Sequence, residues 1–331
     1  MRFVTIIDDD GEGRLALADR AAPVPGPGEV LVQVAGAGVN NADLLQVAGR
    51  YPAPAGAPDW PGLEVSGTVT AVGAGVGGVV VGDRVAALLA GGGYAEQVVV
   101  PAAQVLAVPP ALDLVDAAAL PEAACTVWST LWSPELGAGL RAGEWLLVHG
   151  GSGGVGSFTV QAAKASGVHV VATAGGPERT ARCRELGADV VVDHHTEDFV
   201  DAARRATRGR GVDVVLDVVG AAYLGRNLDV LATGGRLAVI GLQQGRRAEL
   251  DLGLLLAKRA RVLGTTLRSR PADEKAAVVA GVARGLWPLV ATGAVRPVVA
   301  ERVPLSEAGR AHELLRAGTV FGKVVLVPER P

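Results

Sequence analysis

The chain has 331 residues, a net charge of −3, 49% hydrophobic and 20% charged residues: room for two domains with separate cores, and the composition of a soluble globular protein. That charge offers no basic field to a nucleic-acid backbone or an anionic membrane surface. Two cysteines, Cys125 and Cys183, give neither a disulfide framework nor a CxxC pair and point to a reducing cytoplasm; no apolar run spans a membrane, and Met1–Thr5 lead into Asp8-Asp9-Asp10 without a signal core.

Residues 1 to about 121 hold short Val-rich runs separated by Gly and Pro, with strand candidates at 29–34, 65–72, 83–88 and 96–100. This half reads as a compact antiparallel β domain. From Glu144 the rhythm becomes strand, helix, strand. Strands are expected at 145–149, 168–174, 189–193, 212–219, 236–241 and 261–267, with helices at 158–166, 177–186, 197–208 and 222–232 between them. Six such strands predict a doubly wound parallel sheet. The tail predicts one long helix over 273–292, a short one over 306–317 and a strand at 323–327, and its mixed character suggests that it folds back onto the first domain.

The most informative stretch is Gly151-Ser152-Gly153-Gly154-Val155-Gly156, which follows the apolar Trp145–Val148 and precedes a helix-like segment. Glycines at 151, 153 and 156 match the G-x-G-x-x-G spacing of a dinucleotide-binding turn. One would make a tight turn, one would admit a pyrophosphate to the backbone, and one would let helix pack on strand. The helix would aim free N–H groups and its positive end at the phosphates. The next strand ends Thr173-Ala174-Gly175-Gly176, where an NAD-binding chain usually carries a carboxylate for the ribose; Arg179 lies just beyond. A small uncharged end beside a guanidinium suits a 2′-phosphate, so the expected cofactor is NADPH. The alternative for Arg179 is a solvated residue in the first turn of a helix.

An ordered set of motifs carries a resemblance. They are Pro25–Val32, Asn40–Gln46, Pro61–Gly67, Gly91–Glu96, Leu120–Ala123, the glycine turn, Leu267–Arg270 and Phe321–Leu326. With these the chain resembles the zinc-free quinone oxidoreductase branch of the medium-chain dehydrogenase/reductase superfamily, and within it the p53-inducible type. The resemblance implies an α/β protein: a GroES-like, β-rich catalytic domain from residues 1–122 and 269–331, plus a doubly wound parallel Rossmann sheet over 123–268 that binds NADPH. It also implies a nicotinamide in the cleft between the domains, and a homodimer joined through the last Rossmann strand, here 262–267.

Relatives with zinc hold it with Cys, His and a further Cys or carboxylate. Here those positions read Asn40-Asn41 and Leu63, with Glu64 the one carboxylate left, so no metal is expected. Glu64 is read as a structural group bonded to backbone or to an arginine. The chemistry left is hydride transfer to an electron-poor acceptor, with the protein orienting the reactants and excluding water.

The resemblance places three catalytic candidates: Asn41 as a donor near the acceptor oxygen, Tyr51 as a ring platform or proton donor, and Thr126 near the nicotinamide. Each has a bland alternative, respectively a turn residue, a packed loop residue and a plain helix residue. Cofactor contacts are expected from Gly151, Ser152, Gly153, Gly154, Val155, Gly156, Gly175, Gly176, Arg179 and His194. Further contacts are expected from Gly241, Leu242 and Gln243 after the fifth strand, and from Gly322 and Lys323. His194 stands where relatives carry tyrosine, and Lys323 is alternatively a solvated lysine. Cys125, with no paired base, reads as a small buried hydrophobe. Lys258, Arg259, Arg261, Arg268 and Arg270 read as a solvated or dimer-edge face. The leading reading is a cytoplasmic, metal-free NADPH:quinone reductase acting on small molecules, with no membrane or nucleic-acid partner. An NADPH-dependent enoyl or enone reductase is the alternative, and a non-catalytic NADPH-binding protein the alternative from another class.

Overall fold

The computed structural model of the protein describes residues 1–9 and 12–329, so Asp10 of the acidic run lies outside the described residues. The chain divides into two compact units: residues 1–125 with 267–291 and 297–331, and residues 126–266 with 292–296.

In the first unit, β1 (Arg2–Asp9) and β2 (Glu12–Asp19) pair as an antiparallel ribbon. The next elements are β3 (Glu29–Gly38), helix α1 (Asn41–Val47), β4 (Glu64–Val72) and β5 (Arg84–Leu88). Then come β6 (Gln97–Pro101), β7 (Val105–Ala107) and α2 (Pro121–Val127), whose last residues cross into the second unit. Alternation builds the core. Val30, Val32 and Val34 of β3 are buried while Gln33 between them is exposed, and Val98 and Val100 of β6 repeat the pattern opposite.

The second unit runs β8 (Trp145–Val148), α3 (Gly154–Ala165), β9 (His169–Ala174), α4 (Pro177–Glu185) and β10 (Val190–Asp193). It continues with α5 (Phe199–Ala206), β11 (Val212–Asp217), α6 (Leu224–Val230), β12 (Leu231–Val239), α7 (Leu252–Lys258) and β13 (Arg261–Gly264). The strand order is β10-β9-β8-β11-β12-β13, with every pair parallel. Central strands are apolar on both faces, as helices on both sides require: Leu146, Leu147 and Val148 are fully buried. The order reverses between β8 and β11, and that reversal point is where ligands enter such sheets. Several boundaries differ from the sequence pattern, two of them near the sheet's far edge. The last strand stops at Gly264, not 267, and β12 starts at Leu231, so α6 ends before the expected 232.

The tail contributes α8 (Ala272–Gly285), α9 (Trp287–Ala291), β14 (Val299–Pro304), α10 (Ala308–Arg316) and β15 (Lys323–Val327). The expected single helix over 273–292 is broken at Leu286, ahead of Pro288, whose ring and missing N–H disfavour a continuous helix. The indole of Trp287 donates to the Ala107 carbonyl at 2.7 Å and ties the tail to the first unit. β15 pairs antiparallel with β3 and parallel with β14. The resulting sheet, β14-β15-β3-β4-β5-β7 with β6 also on β3, is therefore mixed, where the N-terminal half alone suggested an antiparallel one.

Candidate active site

The glycine turn leaves β8 at the C-terminal edge of the parallel sheet. Its tight bend is made by Gly150, at φ +70°, one residue before the triplet read from the sequence. Gly151 donates its N–H to the Thr173 carbonyl at 2.8 Å, which locks the turn to β9. A Cβ on Gly156 would overlap the Gly150 carbonyl and come within 2.8 Å of the Gly151 Cα, so this glycine lets α3 approach the turn itself. A Cβ on Gly153 would meet nothing nearer than 3.5 Å. Gly153 therefore faces open space just ahead of the free N–H groups of α3, and Gly154 and Val155 open that helix.

Beneath the turn lies a group absent from the sequence reading. His149 is buried, its Nε2 lies 2.8 Å from Asn227 Oδ1 and its Nδ1 lies 3.2 Å from Thr173 Oγ1, which also accepts from the Gly150 N–H at 3.3 Å. One tautomer satisfies all three bonds: Nε2–H donates to Asn227, Thr173 donates to Nδ1, and Gly150 donates to Thr173. Burial holds the imidazole neutral and pushes its pKa down to about 4, against the Asn227 bond and with some help from Arg226. A polar residue between an apolar strand and a glycine run was the available signal.

At the end of β9, Gly175 and Gly176 lead into α4, with Gly176 at φ +82° and Arg179 in the first turn. A Cβ on Gly175 would meet His195 Cε1 at 2.8 Å and His194 Nε2 at 3.1 Å, so both imidazoles crowd this glycine. Asp193 accepts from the backbone N–H groups of Gly176 and His195 at 3.1 Å each, and these bonds, Gly176 first, hold its carboxyl below the usual range. Burial lowers the pKa of His194, with His195 adding to the effect. Gly241 packs on Val218 after β12; Gln243 donates its backbone N–H to the Val218 carbonyl at 3.2 Å, and the Leu242 side chain is exposed. The structure thus brings the turn, Gly175, Gly176 and His194 together along one sheet edge, with Gly241–Gln243 beyond the reversal point of the same edge.

In the first unit, Asn41 opens α1 with an exposed side chain, so it is a helix residue and not the turn residue of the alternative reading. The polar neighbour engaged in the fold is Asn40. Its Nδ2 donates to Glu64 Oε1 at 2.9 Å, and its Oδ1 accepts from Lys323 Nζ at 2.6 Å. Lys323 also pairs with Glu64 at 2.5 Å, with side chains 6% and 0% exposed, and the Glu122 N–H donates to Glu64 at 2.9 Å. Lys323 is therefore not solvated, and Glu64 accepts from backbone, as one of its two expected readings had it, with a lysine where the other reading had an arginine. Gly322 precedes it at φ +90°, packed on Val298.

Asp43 is buried too, accepting from the Asn40 N–H at 2.8 Å and the Gly62 N–H at 3.0 Å; burial still pushes its pKa up to about 6. Tyr51 is half-buried, and its phenol pKa is raised by burial and then by Glu122, with Arg268 opposing. Thr126 lies on α2 in the second unit, its carbonyl accepting from Ser129 Oγ at 3.2 Å. The thiol of Cys125 is fully buried and held well above its ordinary pKa by burial, then by Glu122 and Glu64. That is the state of an inert thiol, not of a nucleophile. Of the basic cluster, Arg268 departs from the expected solvated face: it is 2% exposed.

A parallel sheet with a glycine turn at its edge, joined in one chain to a mixed β unit, defines a dinucleotide-binding oxidoreductase of the medium-chain type. Two families match, the alcohol dehydrogenase GroES-like domain over residues 26–110 and the zinc-binding dehydrogenase over residues 154–283. The chain is 32% identical to the quinone oxidoreductase of Rattus norvegicus, over 99% of this chain and 98% of that one. It is 37% identical to the phthioceranic/hydroxyphthioceranic acid synthase of Mycobacterium tuberculosis, over 91% of this chain and 14% of that one. The solved quinone oxidoreductase of Escherichia coli complexed with NADPH matches with a TM-score of 0.86 and 29% identity, covering 99% of this chain and 100% of that one. The chain belongs to the quinone oxidoreductase branch of the medium-chain dehydrogenase/reductase superfamily and is an oxidoreductase. Its residues do not fit a zinc site: among the described residues no three His, Cys, Asp or Glu converge, and Glu64 is taken by Lys323.

Proposed function

We propose that this chain is a metal-free NADPH-dependent quinone oxidoreductase. The observation that carries the cofactor choice is the end of β9, where Gly176 faces open space and no carboxylate follows in the sequence until Glu178. Gly151–Gly156 would hold the pyrophosphate, Arg179 and His194 the 2′-phosphate, and Gly241–Gln243 the nicotinamide ribose and carboxamide. Thr126, Gly322 and the backbone of Lys323 are proposed as further cofactor contacts. Bound NADPH supplies a hydride; with one proton from solvent the acceptor leaves as a hydroquinone. Asn41 offers a side-chain amide, free of hydrogen bonds to the described residues, to the acceptor oxygen, and Tyr51 offers a ring platform.

The relatives support quinones over their full length, whereas the synthase likeness supports conjugated enones, so enone reduction is the second reading. The fold serves both. The protein is further proposed to be a cytoplasmic homodimer. β13 pairs with β12 alone among the described strands, and Val262 on it is 41% exposed.

The test is NADPH oxidation by the purified protein with an ortho-quinone and a conjugated enone in parallel. Turnover of the quinone alone supports the assignment, and preference for the enone moves it to carbon–carbon double-bond reduction. Consumption of cofactor with neither would favour a binding protein. Arg179→Ala should weaken NADPH by roughly tenfold, the worth of one charged hydrogen bond, and leave NADH binding unchanged. Equal losses for both cofactors would remove Arg179 from phosphate recognition.

A further inference from the structure

Arg268 lies in the turn after β13, already within the first unit, and its whole guanidinium is engaged by that unit. Nε donates to the Ala90 carbonyl at 2.7 Å, Nη1 to the Tyr51 carbonyl at 3.1 Å and Nη2 to Gln46 Oε1 at 2.7 Å. Its carbon Cζ lies 5.3 Å from the centre of the Tyr51 ring. Every hydrogen-bond partner it has among the described residues is a neutral carbonyl. A buried guanidinium keeps its charge, and its planar fork fits three fixed acceptors as an ammonium would not.

Gln46, buried on α1, passes the contact on: its amide donates to the Asp59 carbonyl at 2.7 Å. One guanidinium and one side-chain amide thus grip both ends of the segment Tyr51–Asp59. The segment has no helix or strand of its own. The turn at Gly91 and Gly92 closes on it from another side, where a Cβ would meet the Pro58 carbonyl at 2.7 Å and Pro58 Cγ at 2.8 Å. Just past it, Trp60 donates to the Gly92 carbonyl at 3.1 Å and carries the Arg20 guanidinium 4.5 Å above its ring. A loop held this firmly without regular structure presents a fixed surface.

We propose that Arg268 and Gln46 form a specificity clamp, holding the Tyr51–Asp59 segment in one shape so that Tyr51 selects acceptors by size. The inference rests on the quinone reductase reading above, with Tyr51 meeting the acceptor. Arg268 backs one face of the Tyr51 ring, so a planar acceptor meets the other face or the edge. Both clamp members are positioning residues that act through Tyr51.

The deciding variant is Gln46→Glu, which still accepts from Arg268 but has no N–H for the Asp59 carbonyl. Arg268→Lys is the companion, keeping the charge and losing the fork. Backbone hydrogen exchange over residues 48–60 should accelerate by about tenfold in Gln46→Glu, the worth of one hydrogen bond. Discrimination between a one-ring and a fused-ring quinone should narrow through KM, with kcat and NADPH affinity nearly unchanged. Unchanged exchange overturns the clamp, whatever the turnover. Accelerated exchange with unchanged discrimination overturns its role in selectivity, and a loss of kcat shared by every acceptor reduces the pair to a structural one. A parent protein that reduces neither quinone sinks the quinone reading, while exchange over 48–60 still judges the clamp.

Discussion

The two units hold their key turns by opposite means. In the second, a neutral trio (His149, Thr173 and Asn227) supports the glycine turn, and no member of it carries charge at neutral pH. In the first, a buried ion pair of Lys323 and Glu64 gathers Asn40, the N-terminus of α2 and the last strand. A neutral network tolerates the loss of one member at the cost of a hydrogen bond or two. A buried pair that loses one member leaves a charge behind.

The sharpest way to break the contrast is Lys323→Met. Stranding Glu64 should cost about 3–5 kcal/mol of stability, seen as a large fall in thermal midpoint. Adding Glu64→Gln should recover much of it; no recovery would mean that packing and not charge dominates there.

Acid should separate the units next. His149 has a folded-state pKa of about 4, below its ordinary unfolded value, so the unfolded chain binds the extra proton. Its contribution is complete above about pH 6.5 and is lost as pH falls toward 4, up to roughly 3 kcal/mol. In the first unit His312 acts in the same direction, with burial taking its pKa down to about 4, but Asp43 acts oppositely because burial raises it to about 6. Exchange in β8 and β9 should therefore accelerate more between pH 6.5 and 4.5 than exchange in β3 and β4. His149→Gln should flatten that response; equal acid response in both units would refute the contrast.

Two alanine variants give the smaller effects. Gly156→Ala forces a methyl into the Gly150 carbonyl and should cost about 1–3 kcal/mol along with cofactor affinity. Gly153→Ala meets no protein atom closely, so stability should stay within about 0.5 kcal/mol while NADPH affinity falls. A Gly153→Ala protein with unaltered affinity would show that the phosphates do not lie against that glycine.

The sequence was clearest where periodicity and backbone chemistry agree. The glycine turn, six parallel strands and the alternating valines of β3 and β6 are each specified by neighbours within a few residues. What it hid is long-range. Nothing near Arg268 distinguishes it from the solvated arginines around it, because its partners Gln46, Tyr51 and Ala90 lie far back in the chain. The ion pair of Lys323, read as a cofactor contact or else a solvated lysine, was hidden for the same reason, with Glu64 and Asn40 equally distant. The ribbon of β1 and β2 escaped because its strands carry few of the valines that mark the others. The single long tail helix failed on a local rule that was legible, Pro288.

The pairing of β15 with β3, through Val325 with Gly38 and Leu326 with Ala37, has a consequence for synthesis. A ribosome adding about 5–20 residues per second delivers β15 only after nearly three hundred further residues, many seconds after β3 has emerged. The Rossmann strands are contiguous and can assemble as they appear, whereas β3, paired early by β4 and β6, keeps its Ala37–Gly38 end open until β15 is made. A strand made late thus completes a sheet begun early.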